Sequence, residues 1–197
     1  VVYRDYDGYV VQEGVFGQVE YNRNALAVFV SAAVSNSFYW QKNHFYYDQS
    51  REKSKTENFI GWNLKGGANY NITERHNVFA NMGYISRAPF YSGGIFLYAL
   101  NSNVTNPDAM NERAFSVEVG YGFRSSMFNA NLNLYRTAWM DKTMTRTQDL
   151  KSGDRSSINM SGVDALHQGI EMDFVYRPVR IVDITGMLSI GDWKWNS

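Results

Sequence analysis

The sequence predicts an all-β chain of about eight antiparallel strands, a segment of an up-and-down transmembrane β-barrel. Three observations carry that prediction. Apolar and polar residues alternate with a period of two along most of the 197 residues. The connections between these runs are short and long in turn. On the apolar face, aromatic residues sit beside the short connections.

The first strand is expected near 13–22, with Val15, Gly17, Val19 and Tyr21 on one face and Phe16, Gln18 and Glu20 on the other. The second, near 25–40, sets Leu26, Val28, Val30 and Val34 against Ala27, Phe29, Ser31 and Ser35. The third, near 58–71, sets Ile60, Trp62, Leu64 and Tyr70 against Asn63, Lys65, Gly67 and Asn69. The fourth, near 76–87, sets Val78, Ala80, Met82 and Tyr84 against Asn77, Phe79, Asn81 and Gly83. The fifth and sixth share the run Ser116–Tyr135: Val117, Val119, Tyr121 and Phe123 alternate with Glu118, Gly120, Gly122 and Arg124, and Phe128–Leu134 with Asn129, Asn131 and Asn133. The seventh, near 165–177, sets Ile170, Met172, Phe174 and Tyr176 against Gly169, Glu171 and Asp173. The eighth, near 179–190, sets Val182, Ile184, Leu188 and Ile190 against Asp183, Thr185 and Ser189.

Short connections follow Tyr21, Asn71, Arg124 and Arg177, and long ones run from Gln41, from Arg87 to Asn111 and from Asp141 to Ser161. An outer-membrane barrel has this alternation, with short turns on the periplasmic side. Tyr21, Tyr70, Phe123, Phe128 and Tyr176 would form one girdle beside those turns, the competing account being core aromatics near hairpin turns. The polar face is made of Asn, Gly, Ser and a few charges, which suits a crowded wet lumen. The apolar face carries almost no charge away from strand ends, as lipid requires.

Composition excludes several classes. A formal net charge of +0 argues against a nucleic-acid binder. No cysteine is present, which excludes disulfides and thiolate sites. No run of about 18 apolar residues exists, so no transmembrane helix is expected. The start, "VVYRDYDGYV", is no signal peptide and lacks Met, as expected of an internal or processed segment. With short turns periplasmic, both ends of the chain would lie outside the cell, so residues 1–197 are expected to be a single partial barrel domain completed by other strands.

The stretches "HNVFANMGYISRAPFYSGGIF", "NERAFSVEVGYGFRSSMFNANLNLYRTAWMDKT" and "HQGIEMDFVYRP" resemble the C-terminal half of a TonB-dependent outer-membrane receptor barrel, most like those of the Bacteroidetes. The resemblance covers roughly residues 58–192 and rests on the order and spacing of its pieces. It implies a 22-strand barrel in the outer membrane of a Gram-negative bacterium, an N-terminal plug domain absent from this sequence, and import driven by the TonB complex.

No catalytic, cofactor or metal site is expected. His44, His76 and His167 have no metal-ligand spacing, and Asp5, Asp7 and Gly8 make only a fragment of a calcium loop. Glu171 and Asp173 could pass for a carboxylate pair, but two lumen-facing acids balanced by Arg124, Lys65 or Arg177 is the preferred account. The serines lack a nucleophile elbow, and "SGGIF" opens no helix. Three Asn-x-Ser/Thr strings, at Asn71, Asn103 and Asn159, carry little meaning in a bacterial chain.

The outer loops are the expected ligand region: Trp40, His44, Tyr46 and Tyr47 in the first long loop, and Arg87, Phe90 and Tyr91 in the second. Rings and amides there could stack on a sugar or a siderophore, and Arg87 could face an anion; the competing account is an extracellular aromatic girdle with loop rings that pack on one another. The expected function is an active-transport receptor, energised by TonB, for a scarce solute such as a siderophore, haem, cobalamin or a glycan. Its partners would be the lipid bilayer, its plug and remaining strands, the TonB complex and the solute. A small outer-membrane pore or adhesin barrel, or a soluble carbohydrate-binding β-sandwich, are the alternatives.

Overall fold

The computed structural model describes residues 5–45, 52–97, 103–149 and 155–196, excluding the side chains of 147–149 and 155–158. Eight strands form one antiparallel sheet in sequence order: β1 Tyr6–Arg23, β2 Leu26–Asn43, β3 Glu57–Asn71, β4 His76–Arg87, β5 Glu112–Arg124, β6 Phe128–Asp149, β7 Arg155–Val179 and β8 Val182–Asn196. The sheet is open, with β1 and β8 at its edges. It is a single curved wall and not two packed layers, so the soluble sandwich is overturned. No described helix is long and apolar enough to cross a membrane.

Short turns hold their form through small polar groups. Asn24 takes φ 51° between β1 and β2, a left-handed geometry that Asn tolerates. Thr73 Oγ1 accepts the amides of Arg75 and His76 between β3 and β4. Ser125 Oγ bridges to Phe128 between β5 and β6.

Several strands outrun their expected limits. β1 starts at Tyr6, β2 reaches Asn43, β5 starts at Glu112 and β8 reaches Asn196. The largest correction concerns the expected long loop from Asp141 to Ser161, most of which is a β6–β7 ribbon pairing as far as Asp149↔Arg155. Register shifts fall between Trp139 and Met144, Asp141 has φ 58°, and Gly162 has φ 79°. Each bulge inserts a residue and breaks the period of two, which hides the strand from pattern reading. Pro178 likewise sits in the irregularity between Tyr176 and Val179.

The two faces follow the expected parity. Ladder neighbours Asn69↔Phe79↔Gly120↔Asn133↔Glu171↔Ser189 run along the concave face. Glu118 lies on that face and accepts a 3.5 Å hydrogen bond from Asn81. Asp173 accepts from Asn131 at 2.7 Å and Glu171 from Ser189 at 3.3 Å, so amide and hydroxyl donors, and no described cation, satisfy the two acids. Arg177, one of the expected counter-charges, pairs instead with Asp183 at 3.1 Å. A cavity of about 400 Å³ opens here at the short-turn end, lined by Asn69, Asn77, Phe79, Asn81, Arg124 and Asn131 among others.

The convex face is exposed and apolar. Val15 is 73 % exposed, Val19 74 % and Ile190 68 %, values that no water-facing sheet would keep along its whole width. The ladder row that starts at Tyr21 ends at Ile190, two residues from the end of β1 but eight residues into β8. That stagger, about six residues over seven strand steps, corresponds to a strand tilt of about 30° against the line of turns.

The lower girdle is continuous where its rings meet. Phe123 lies 5.0 Å from His76 and 6.3 Å from Phe128, which lies 6.5 Å from Tyr176. A second girdle sits eight residues higher on β3, β4 and β5. Trp62 stacks on Tyr84 at 5.1 Å, and Tyr84 lies 6.4 Å from Phe115. Eight residues on a tilted strand rise by roughly 20–23 Å, close to the apolar band of about 25 Å on a membrane barrel.

Candidate functional site

The connection between β4 and β5 folds inward at the long-loop end. Ile95 and Phe96 are buried against Tyr39 of β2, with Phe59 of β3, Ala88 and Tyr91 packed around them. Parity on β2 and β3 puts Tyr39 and Phe59 on the concave face, so this cluster plugs the inside of the wall. Tyr91 is its hinge pin. Its ring stacks on Tyr6 at 6.5 Å and packs on Phe96 at 4.8 Å, and its hydroxyl reaches Trp40 O and Gln41 Oε1, each at 3.3 Å. Gly8 makes the approach possible, since a Cβ there would lie 2.9 Å from the Tyr91 ring. Burial pushes the Tyr91 phenol above its usual range, so it stays a donor through neutral and mildly alkaline pH.

The connection also crosses to the other side of the mouth. Asn106 Nδ2 bonds Gly94 O at 3.0 Å and Ser161 Oγ of β7 at 3.4 Å. Gly94 closes the tight turn, where a Cβ would fall 2.3 Å from Phe90 O and 2.9 Å from Phe90 N. Those are backbone atoms that cannot step aside. Gly94→Ala is therefore expected to detach the turn from Tyr39, costing about 1–3 kcal/mol locally. Limited proteolysis of the complete protein checks this, with faster cleavage between Arg87 and Asn111 as the expected result.

Beside the turn lies a charged aromatic group. Arg87 donates to Glu112 Oε2 through Nε at 3.2 Å and a terminal guanidinium nitrogen at 2.9 Å. Glu112 is 1 % exposed, and its other oxygen accepts the Thr143 amide at 3.4 Å. The Arg87 guanidinium lies 5.4 Å from the Phe90 ring and 5.7 Å from Trp139, over which Lys142 Nζ also sits at 4.3 Å. Two cations thus share one indole.

Of the expected ligand residues, Arg87, Phe90 and Tyr91 come together here. Trp40 does not join them: it shares the parity of Val30 and Val34, stacks on Tyr9 at 5.2 Å and holds Lys53 at 5.4 Å on the outward side. His44 pairs with Asp7 at 3.1 Å at the exposed tip of β1 and β2. Tyr46 and Tyr47 lie outside the described residues. Glu112, Trp139 and Lys142 were not foreseen. The odd-number parity of Trp139 with Asn131 and Asn133 was the signal available for one of them. No group of three or more metal-ligating side chains occurs among the described residues.

A family model described as "TonB dependent receptor-like, beta-barrel" matches residues 2–197. The chain belongs to the TonB-dependent receptor family. It is 34 % identical over 79 residues to the vitamin B12 transporter BtuB of Vibrio vulnificus, a match spanning 40 % of this chain and 11 % of that one. Among solved structures, 95 % of this chain superposes on 29 % of the copper transporter OprC with a TM-score of 0.74 at 14 % identity. It also superposes over 98 % of its length on 27 % of the FrpB iron transporter from Neisseria meningitidis, with a TM-score of 0.68 at 15 % identity. At these identities the structural matches establish the fold. This TonB-dependent receptor segment is thus part of a barrel of the Gram-negative outer membrane, its family is one of receptors and not of enzymes, and the chain spans less than a third of the BtuB, OprC and FrpB chains. The exposed convex face meets lipid, and the short turns are periplasmic.

Proposed function

We propose that this segment supplies wall and mouth to a receptor that imports a scarce solute, with energy delivered through TonB and a plug inside a barrel of 22 strands. The observation that supports it most directly is the inward-folded connection carrying Tyr91, Phe90 and Arg87 beside Trp139 and Lys142. Such a mouth offers cations and ring faces together, which suits an anionic or aromatic solute. Relatives named for vitamin B12, copper and iron fit the general role and differ among themselves, so the choice among siderophore, haem, cobalamin and glycan belongs to experiment. The resemblance of the strand motifs to receptors of the Bacteroidetes supports a source in that group as part of the same proposal.

The test is growth of a strain whose other receptors for each solute are deleted, with and without TonB. The complete receptor should restore TonB-dependent uptake of one class. Trp139→Ala should weaken its binding roughly tenfold, as expected for loss of a cation- and ring-stacking platform. Uptake that persists without TonB would overturn the reading and favour a passive pore.

A further inference from the structure

The concave face changes character above its amide-rich cavity. On β6, β7 and β8 the rung Tyr135↔Gly169↔Gly191 sets one ring beside two positions with no side chain. The next rung up, Thr137↔His167↔Trp193, supplies a second ring. Both rings lie down along the wall. The Tyr135 hydroxyl crosses the two glycines, since a Cβ would fall 2.9 Å from it at Gly169 and 3.1 Å from it at Gly191. There it accepts the Trp193 indole N–H at 2.9 Å. The indole edge in turn covers Gly191, where a Cβ would lie 2.7 Å from Nε1. His167 flanks the indole at a ring separation of 5.9 Å.

Trp193 is 65 % exposed although its one polar atom is already bonded, so what it offers the lumen is a fixed ring face. Trp195, on the next rung, is 55 % exposed and shares that rung with Trp139 through Ala165, which makes this shelf continuous with the mouth. None of the concave positions of these rungs on β6 to β8 is Lys or Arg. Beside and below the two rings the charges are negative: Glu118 is the ladder neighbour of Tyr135, and Glu171 lies one rung below Gly169. That flank repels an anion and offers acceptors to hydroxyl groups. A ring face is the negative end of a quadrupole and attracts polarised C–H bonds. A flat face of C–H bonds with hydroxyls at its margin is the surface of a sugar ring.

We propose that the Tyr135–Trp193 shelf holds a sugar ring of a saccharide below the mouth, which makes a glycan the solute class. The assignment rests on the import reading above and names its solute. The test is isothermal titration calorimetry on the complete receptor in detergent. The probes are maltohexaose, cellohexaose and xylohexaose, set against ferrichrome, haemin and cyanocobalamin. At least one hexasaccharide should bind saturably and the other three solutes should not. Trp193→Ala should weaken that binding roughly tenfold, as expected for loss of a ring platform. Trp193→Leu keeps the apolar bulk without the ring and should lose as much, which reads the same point if the alanine variant fails to fold. Gly191→Ala, which lifts the indole off the wall, should also weaken binding. Asp192→Asn, on the lipid side of the same strand, should behave as wild type. Absence of saturable binding to all three hexasaccharides overturns the proposal. So does unchanged affinity in Trp193→Leu, and a lowered unfolding midpoint there would then assign the indole to packing against the plug or the remaining strands. The two readings fail separately. Shelf-dependent saccharide binding with uptake that ignores TonB sinks only the import reading. TonB-dependent uptake of ferrichrome, haemin or cyanocobalamin without saccharide binding sinks only the shelf.

Discussion

Val119→Arg should destabilise the complete receptor in phosphocholine vesicles by about 2–4 kcal/mol, the cost of a cation near the midplane of a barrel's lipid face. Val119 is 43 % exposed and lies halfway between Phe123 of the lower girdle and Phe115 of the upper one. Nothing beside it offers a counter-charge: its ladder neighbours are Ala80 and Leu134. Asn131→Arg adds the same charge on the other face, next to Asp173 and the inner cavity, and should cost far less. The measurement is the guanidinium unfolding midpoint of each variant. Equal costs for the two substitutions would show that the faces have been assigned the wrong way round.

Arg87→Met is expected to lower stability by about 2 kcal/mol. It strands the Glu112 carboxylate, which is 1 % exposed and keeps only the Thr143 amide as a partner. Breaking a fully buried pair costs about 3–5 kcal/mol, and the half-exposed Arg87 end reduces that figure because water screens it. The double variant Arg87→Met with Glu112→Leu should recover most of the loss, since no isolated charge remains. This pair of variants also separates two roles for Arg87. If the double variant is stable yet binds solute poorly, the guanidinium touches the solute. If stability and binding both return, its work is to hold the top of β4 against β5. A double variant as unstable as the single one would contradict the pairing described here.

Much of the wall was legible in the residues. Alternation assigned Val119 and Glu118 to opposite faces, and Asn24, Thr73 and Ser125 marked the short turns. The upper girdle was legible too: Trp62, Tyr84 and Phe115 repeat, eight residues on, the positions of Tyr70, His76 and Phe123. Trp40 carried its outward parity in the numbering, shared with Val30 and Val34. By contrast, the β6–β7 ribbon was hidden because the bulges at Asp141 and Gly162 shift the parity that pattern reading depends on.

What the sequence by itself determined is the wall: strand order, two faces, a lipid side and a wet side. These follow from local sterics and a strict period of two, and each can be checked within a few residues. What only the tertiary structure decided is the mouth. Glu112 meets Arg87 across a 24-residue connection, and Tyr91 reaches Tyr6 and Tyr39 only once that connection has folded inside the sheet. Such contacts depend on the path of a loop whose ends are fixed and whose course is chosen by packing, and no periodicity in the chain encodes that choice.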